Sequence, residues 1–97
     1  MRGVVLSRRA ERDVRHIGPG ETLARIREAL ESLAADEAKL DIKTLAGAAP
    51  WQRLRVGDYR ILYRPVEPGN EFDPNARWLV ARVVHRRDLE RALSTLT

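Results

Sequence analysis

Residues 51–64, WQRLRVGDYRILYR, decide how this chain folds. Apolar and basic residues alternate through the stretch, and alternation is the period of a β-strand, whose successive side chains point to opposite faces. Gly57-Asp58 at its centre is a two-residue turn signal, because glycine at the first central position suits the type II′ turn that joins antiparallel strands. A two-residue turn sets the register and pairs Val56 with Tyr59, Arg55 with Arg60 and Leu54 with Ile61. Paired residues share a face. Leu54, Val56, Tyr59, Ile61 and Tyr63 should therefore form an apolar side, with Arg53, Arg55, Arg60 and Arg64 on the other side beside Trp51 and Leu62. Like charges placed directly opposite destabilise a strand pair, so Arg55 facing Arg60 points to an anionic counterpart. The plainer alternative is a row of solvated arginines on the open side of a half-buried sheet.

Beyond the hairpin, residues 65–77 (PVEPGNEFDPNAR) carry three prolines and a Gly-Asn pair, which read as a long loop with Phe72 placed to pin it to the body. Residues 78–84 (WLVARVV) read as a central strand, with Leu79, Ala81 and Val83 on one face and Trp78, Val80, Arg82 and Val84 on the other. Leu89, Leu93 and Leu96 mark one side of a short C-terminal helix.

Upstream, residues 2–6 (RGVVL) read as a short strand and Ser7 as a helix N-cap. Ala10, Val14 and Ile17 share one helical face, and Gly18-Pro19 ends that helix; His16 in its last turn reads as a solvated residue. Leu23, Ile26, Leu30 and Leu33 define a second helix from Glu21 to Ala35. The segment 36–49 gives no clear period, only the apolar anchors Leu40, Ile42 and Leu45. The expected fold is α+β: an N-terminal strand, a two-helix hairpin, then an antiparallel sheet (β-α-α-β-β-β) and a short C-terminal helix. Residues 1–97 should form a single domain with the helices on one sheet face and the arginine face left open.

Among 18 basic residues sixteen are arginine, the formal charge is +4 and the sequence pI is about 10.3. Residues 21–50 are net acidic, whereas both flanking regions are net basic. Arginine abundance follows from a GC-rich genome or from phosphate recognition, for which the planar, permanently charged guanidinium is suited. With no cysteine there is neither a disulfide framework nor a thiol nucleophile. The first twelve residues hold too short an apolar run for a signal peptide or a membrane span, so a cytoplasmic protein is expected.

His85 stands at the end of the last strand, directly before Arg86 and Arg87. Neighbouring positive charge favours a neutral imidazole, which could act as general base, while arginines stabilise charge on a phosphate. A strand-end histidine bonded to backbone is the simpler reading. His16 and His85 lack partners at ligand spacing, so no metal site is expected; nor is any cofactor, since no glycine-rich phosphate loop precedes a helix. A serine nucleophile would need an elbow motif that is missing here. Trp51 and Trp78 are candidates for base stacking or for packing.

RLRVGDYRILYR, followed by an apolar strand closed by HRRDLER, resembles the RelE/ParE superfamily of toxins from bacterial type II toxin–antitoxin systems, closest to its RelE-like branch. The resemblance spans nearly the whole chain, including Leu45-Ala46-Gly47 before the hairpin. It implies a toxin that enters the ribosomal A site and cleaves mRNA without metal, by attack of the ribose 2′-hydroxyl on the adjacent phosphate. It also implies a cognate antitoxin as partner. Carried over residue by residue, Arg60 and Arg86 stand in the catalytic positions with His85 beside them. Arg53 and Arg55 match the basic pair of the second strand, and Arg64, Arg82 and Arg87 extend the phosphate-binding set. A tyrosine that many RNA-cleaving members carry after this element is absent, since Leu89 and Glu90 follow Asp88. A ParE-like inhibitor of DNA gyrase without enzymatic activity is the alternative, and an antitoxin-bound regulator without toxicity a third.

Overall fold

The computed structural model describes residues 3–37 and 39–96. Its elements run β1 (Val4–Leu6), α1 (Arg8–Ile17), α2 (Glu21–Ala34), β2 (Ile42–Thr44), β3 (Gln52–Val56), β4 (Tyr59–Pro65), β5 (Trp78–His85), a single 3-10 turn (Arg86–Asp88) and α3 (Leu89–Leu93). The hairpin forms in the expected register, with Val56 against Tyr59, Arg55 against Arg60 and Leu54 against Ile61. Gly57 has φ +57° while Asp58 does not take positive φ, which is the type II′ pattern. The apolar side closes as the pairing requires: Leu54, Ile61 and Tyr63 are buried against Ile26, Leu30 and Leu33 of α2 and Ala10 of α1.

The five strands lie in the order β1-β5-β4-β3-β2. Four of them form an antiparallel meander, but β1 runs parallel to β5, so the sheet is mixed rather than antiparallel throughout. The cause lies at the end of β1. Ser7 stops the strand, caps α1 by accepting from the Ala10 N–H, and donates its hydroxyl to the Ala81 carbonyl at 2.8 Å. In the parallel direction α1 continues down the same edge of β5 that β1 has begun to cover. An antiparallel β1 would send α1 away from that edge.

Two further features depart from strict alternation. Leu62 pairs with Arg82 but Tyr63 pairs with Val80, which leaves Ala81 as an extra residue in β5. This bulge exchanges the faces of the first half of the strand. Trp78 and Val80 join the helix-side core with Val83, and Leu79 turns to the arginine side. The grouping of Trp78 and Val80 with Arg82 and Val84 is thereby corrected. Nor is the arginine face fully open. Leu62 and Val84 are buried there beneath Ala92, Leu89, Leu93 and Leu96, with Leu45 at the rim, because the chain after β5 folds back across the sheet.

The 65–77 loop is held by a polar side chain, not by Phe72, which is 47% exposed. Asn70 donates to the carbonyls of Glu67 and Asp73 and accepts from the N–H groups of Phe72 and Asp73, so one amide organises the turn. Among the described residues, no helix is long and apolar enough to cross a membrane.

Candidate nucleic-acid interface

The uncovered part of the arginine face is built from three adjacent strands. β2 adds a row that the sequence pattern did not show: Lys43 pairs with Arg53, which pairs with Leu62. Lys43 therefore shares a face with Arg53. The next row holds Arg55 and Arg60. The Arg55 N–H donates outward to the Asp41 carbonyl at 3.0 Å, so it is not engaged with Arg60. Arg55 and Arg60 thus form the non-hydrogen-bonded pair of the ladder, the type in which facing side chains come closest.

The cluster shows its strain in one group. Burial, and then the positive charges of Arg55, Arg53 and Arg86, push the Arg60 guanidinium below its ordinary pKa, with Asp41 opposing them. Arg60 also donates to the carbonyls of Gly57 and Tyr59, both at 2.9 Å, which holds its head over the turn. Arg53 meets the Asp41 carboxylate at 3.3 Å, and Arg86 meets Asp58 at 3.5 Å. Arg55 has no carboxylate partner among the described residues. Among the described residues, four guanidinium groups and one ammonium group thus share two carboxylates. A phosphodiester on this surface would accept several charge-assisted hydrogen bonds.

The remaining candidates part company. Arg64 lies on the same face farther along, its guanidinium stacked 5.6 Å from the Trp51 ring. Arg82 reaches instead over the sheet edge to Asp13 of α1, at 2.9 and 3.2 Å, and to Thr95 at 3.1 Å. The same Asp13 carboxylate accepts from the Val83 N–H, so α1 finishes the β5 edge with a side chain where β1 has run out. Both members of this pair are more than four-fifths buried. His85 pairs with Tyr59 and packs edge to face on its ring at 5.5 Å, so it belongs to the opposite sheet face from Arg60. Its Nδ1 accepts from the Arg87 N–H. Arg87 lines a cleft shared with His85 and α1. Trp78 packs edge to face on Tyr63 at 5.6 Å within the core, which leaves Trp51 as the tryptophan of the arginine side.

Sequence reading missed Lys43 and Asp41 because segment 36–49 shows no period strong enough to mark a strand. The alternation of Asp41, Ile42, Lys43 and Thr44 beside an arginine-bearing strand is the signal that was available.

A family model described as the ParE toxin of type II toxin–antitoxin systems, parDE, matches residues 4–90. The chain belongs to this toxin family. Within the wider RelE/ParE superfamily it is similar in structure to the toxin–antitoxin complex RelB–RelE of Methanococcus jannaschii, with a TM-score of 0.67 and 26% identity over 91% of this chain and 96% of that one. The RelE–RelB complex of Pyrococcus horikoshii OT3 shows the same fold, with a TM-score of 0.60 and 19% identity over 86% and 92% of the two chains. No curated protein matches the sequence. The α+β architecture expected from the hairpin and its flanking helices is the one these toxins share.

Proposed function

We propose that this ParE-family toxin acts on RNA, cleaving mRNA on the ribosome and so stopping translation in the cytoplasm. The observation that carries the reading is the closest-facing arginine pair, Arg55 and Arg60, flanked by Arg53 and Arg86 and short of counter-charge. In the step proposed, a ribose 2′-oxygen forms a bond to the adjacent phosphorus, the bond from phosphorus to the 5′-oxygen breaks, and the 2′-proton ends on that leaving oxygen. The products are a cyclic phosphate and a free 5′-hydroxyl. The arginines contribute by holding the phosphate and stabilising the charge that builds on its oxygens. Guanidinium groups do not serve as bases at neutral pH, so the proton travels through water or a ribosomal group. A cognate antitoxin is the second partner, and acidic side chains meeting Arg53, Arg55 or Arg86 would make its binding salt-dependent.

Primer extension on mRNA after induction tests this reading. Discrete in-frame cuts are expected, and the Arg55→Ala, Arg60→Ala, Arg86→Ala triple variant should lose them along with growth arrest while melting at an unchanged temperature. Retained toxicity in that variant would overturn the phosphate clamp.

One observation favours the second reading, a gyrase inhibitor. His85, the imidazole nearest the arginines in sequence, belongs to the other sheet face, and a poison that only binds needs no proton transfer. DNA breaks with intact mRNA after induction would select it.

A further inference from the structure

The HRRD segment serves two sites rather than one. Arg86 turns toward Asp58 and the arginine floor, whereas Arg87 lines a cleft of about 480 Å³ between α1, the end of β5 and α3. Around this cleft stand Arg9 and His16 from α1, Tyr59 and His85 from the sheet, and Arg87 and Arg91 from the C-terminal segment. Its acidic members are Asp13 and Asp88. Asp13 is already committed, with one oxygen on Arg82 and the other on Arg82 and the Val83 N–H. None of Arg9, Arg87 and Arg91 has a carboxylate partner among the described residues. Three unpaired guanidinium groups against one uncommitted carboxylate leave the cleft strongly positive.

Its aromatic wall is equally definite. His85 accepts the Arg87 N–H at Nδ1, which leaves Nε2 as the donor nitrogen of the ring. Tyr59 meets that ring edge to face, leaving aromatic surface beside the donors. A volume within the range of ligand pockets, three cationic side chains lining it and aromatic surface suit a phosphate joined to a planar base.

We infer that this cleft is a second anion site, separate from the arginine floor, which takes the phosphate ester of a nucleotide unit through Arg9, Arg87 and Arg91, with His16 and His85 lining the base side. The unit can come from a free mononucleotide or from an RNA strand that crosses the Arg86–Arg87 ridge. The two sources share one chemistry.

The test uses the full chain with adenosine 5′-monophosphate and inorganic phosphate as probes, read by the side-chain NMR signals of His16 and His85. Saturable shifts of both histidines are expected with the mononucleotide. They should weaken at least tenfold in the Arg87→Ala, Arg91→Ala variant and persist in the Arg55→Ala, Arg60→Ala variant. Both pairs contain exposed or part-exposed residues, and a thermal melt checks that each variant folds. Shifts that never saturate, or that vanish equally in the floor variant, would overturn the second site. A short oligoribonucleotide then separates the sources. If the strand crosses the ridge, its binding should weaken in the Arg87, Arg91 variant and its salt slope should drop by about 0.7 for each phosphate that is no longer neutralised. Unchanged oligonucleotide binding, with mononucleotide binding abolished, assigns the site to the free nucleotide.

Discussion

Arg60 and Arg82 lie on adjacent strands of one sheet face, yet the two ends of that face are built on opposite principles. At the Arg82 end the charge on the sheet face is answered: Asp13 takes the Arg82 guanidinium, Thr95 accepts a further N–H, and Leu62 and Val84 lie buried beside it under α3. At the Arg60 end the charges answer one another. Arg55 faces Arg60 across the ladder, Arg53 and Arg86 add to the repulsion, and Asp41 and Asp58 balance only part of it. One end is organised for folding. The other keeps its attraction available for an anion, at some cost to stability.

This contrast can be broken at several points, and the largest effect belongs to the closed end. Leu62→Ala should lower the unfolding free energy by about 2–5 kcal/mol, since the side chain is fully buried. Denaturant titration measures it, and a loss below about 1 kcal/mol would mean that α3 is only loosely seated. Next comes Asp13→Ala, which strands the Arg82 charge and the Val83 N–H together. A loss of about 2–3 kcal/mol is expected, with amide exchange speeding first along the second half of β5.

Through the sheet, Tyr63 provides a pH signature of the helix-packed side. Burial raises its phenol above the usual pKa of 10.0. The unfolded phenol ionises first as pH rises, so the folded state then holds more protons and stability falls. A raised pKa contributes its stability below the unfolded value and loses it upward from about pH 10, by at most about 1.4 kcal/mol per pH unit. Tyr63→Phe should flatten that part of the profile in alkaline melts. The smallest effect lies at the open end and has the opposite sign. Arg55→Gln removes a facing like charge and should leave stability unchanged or raise it by about 0.2–1 kcal/mol, while RNA binding weakens. A stability loss above about 1 kcal/mol, the upper end of that range, would show that the floor is structural after all.

Most of the fold could be read from local pattern. The GD turn determines the register of residues 52–63, the 3.6-residue periods mark α1 and α2, and Ser7 caps where a serine before a helix should. The failures have specific causes. Ala81 breaks alternation in a strand whose residues are nearly all apolar, so nothing in their order betrays the bulge. β2 is three exposed residues long, too short to show a period. Phe72 reads as an anchor because aromatic residues usually are buried, whereas Asn70 does the holding through backbone contacts.

By itself the sequence determined that Arg53, Arg55, Arg60 and Arg64 share one sheet face, because alternation and a two-residue turn are local rules that need no knowledge of the rest of the chain. It could not separate these arginines from Arg82 or His85. That separation depends on the groups across the β5 edge and over the sheet: Asp13 is sixty-nine residues from Arg82 along the chain yet in contact with it, and the C-terminal segment covers Leu62 and Val84 of the face. A carboxylate brought from a distant helix converts one arginine into a structural member. Around Arg55 and Arg60 the described carboxylates are too few to do the same, and only the tertiary fold distributes them.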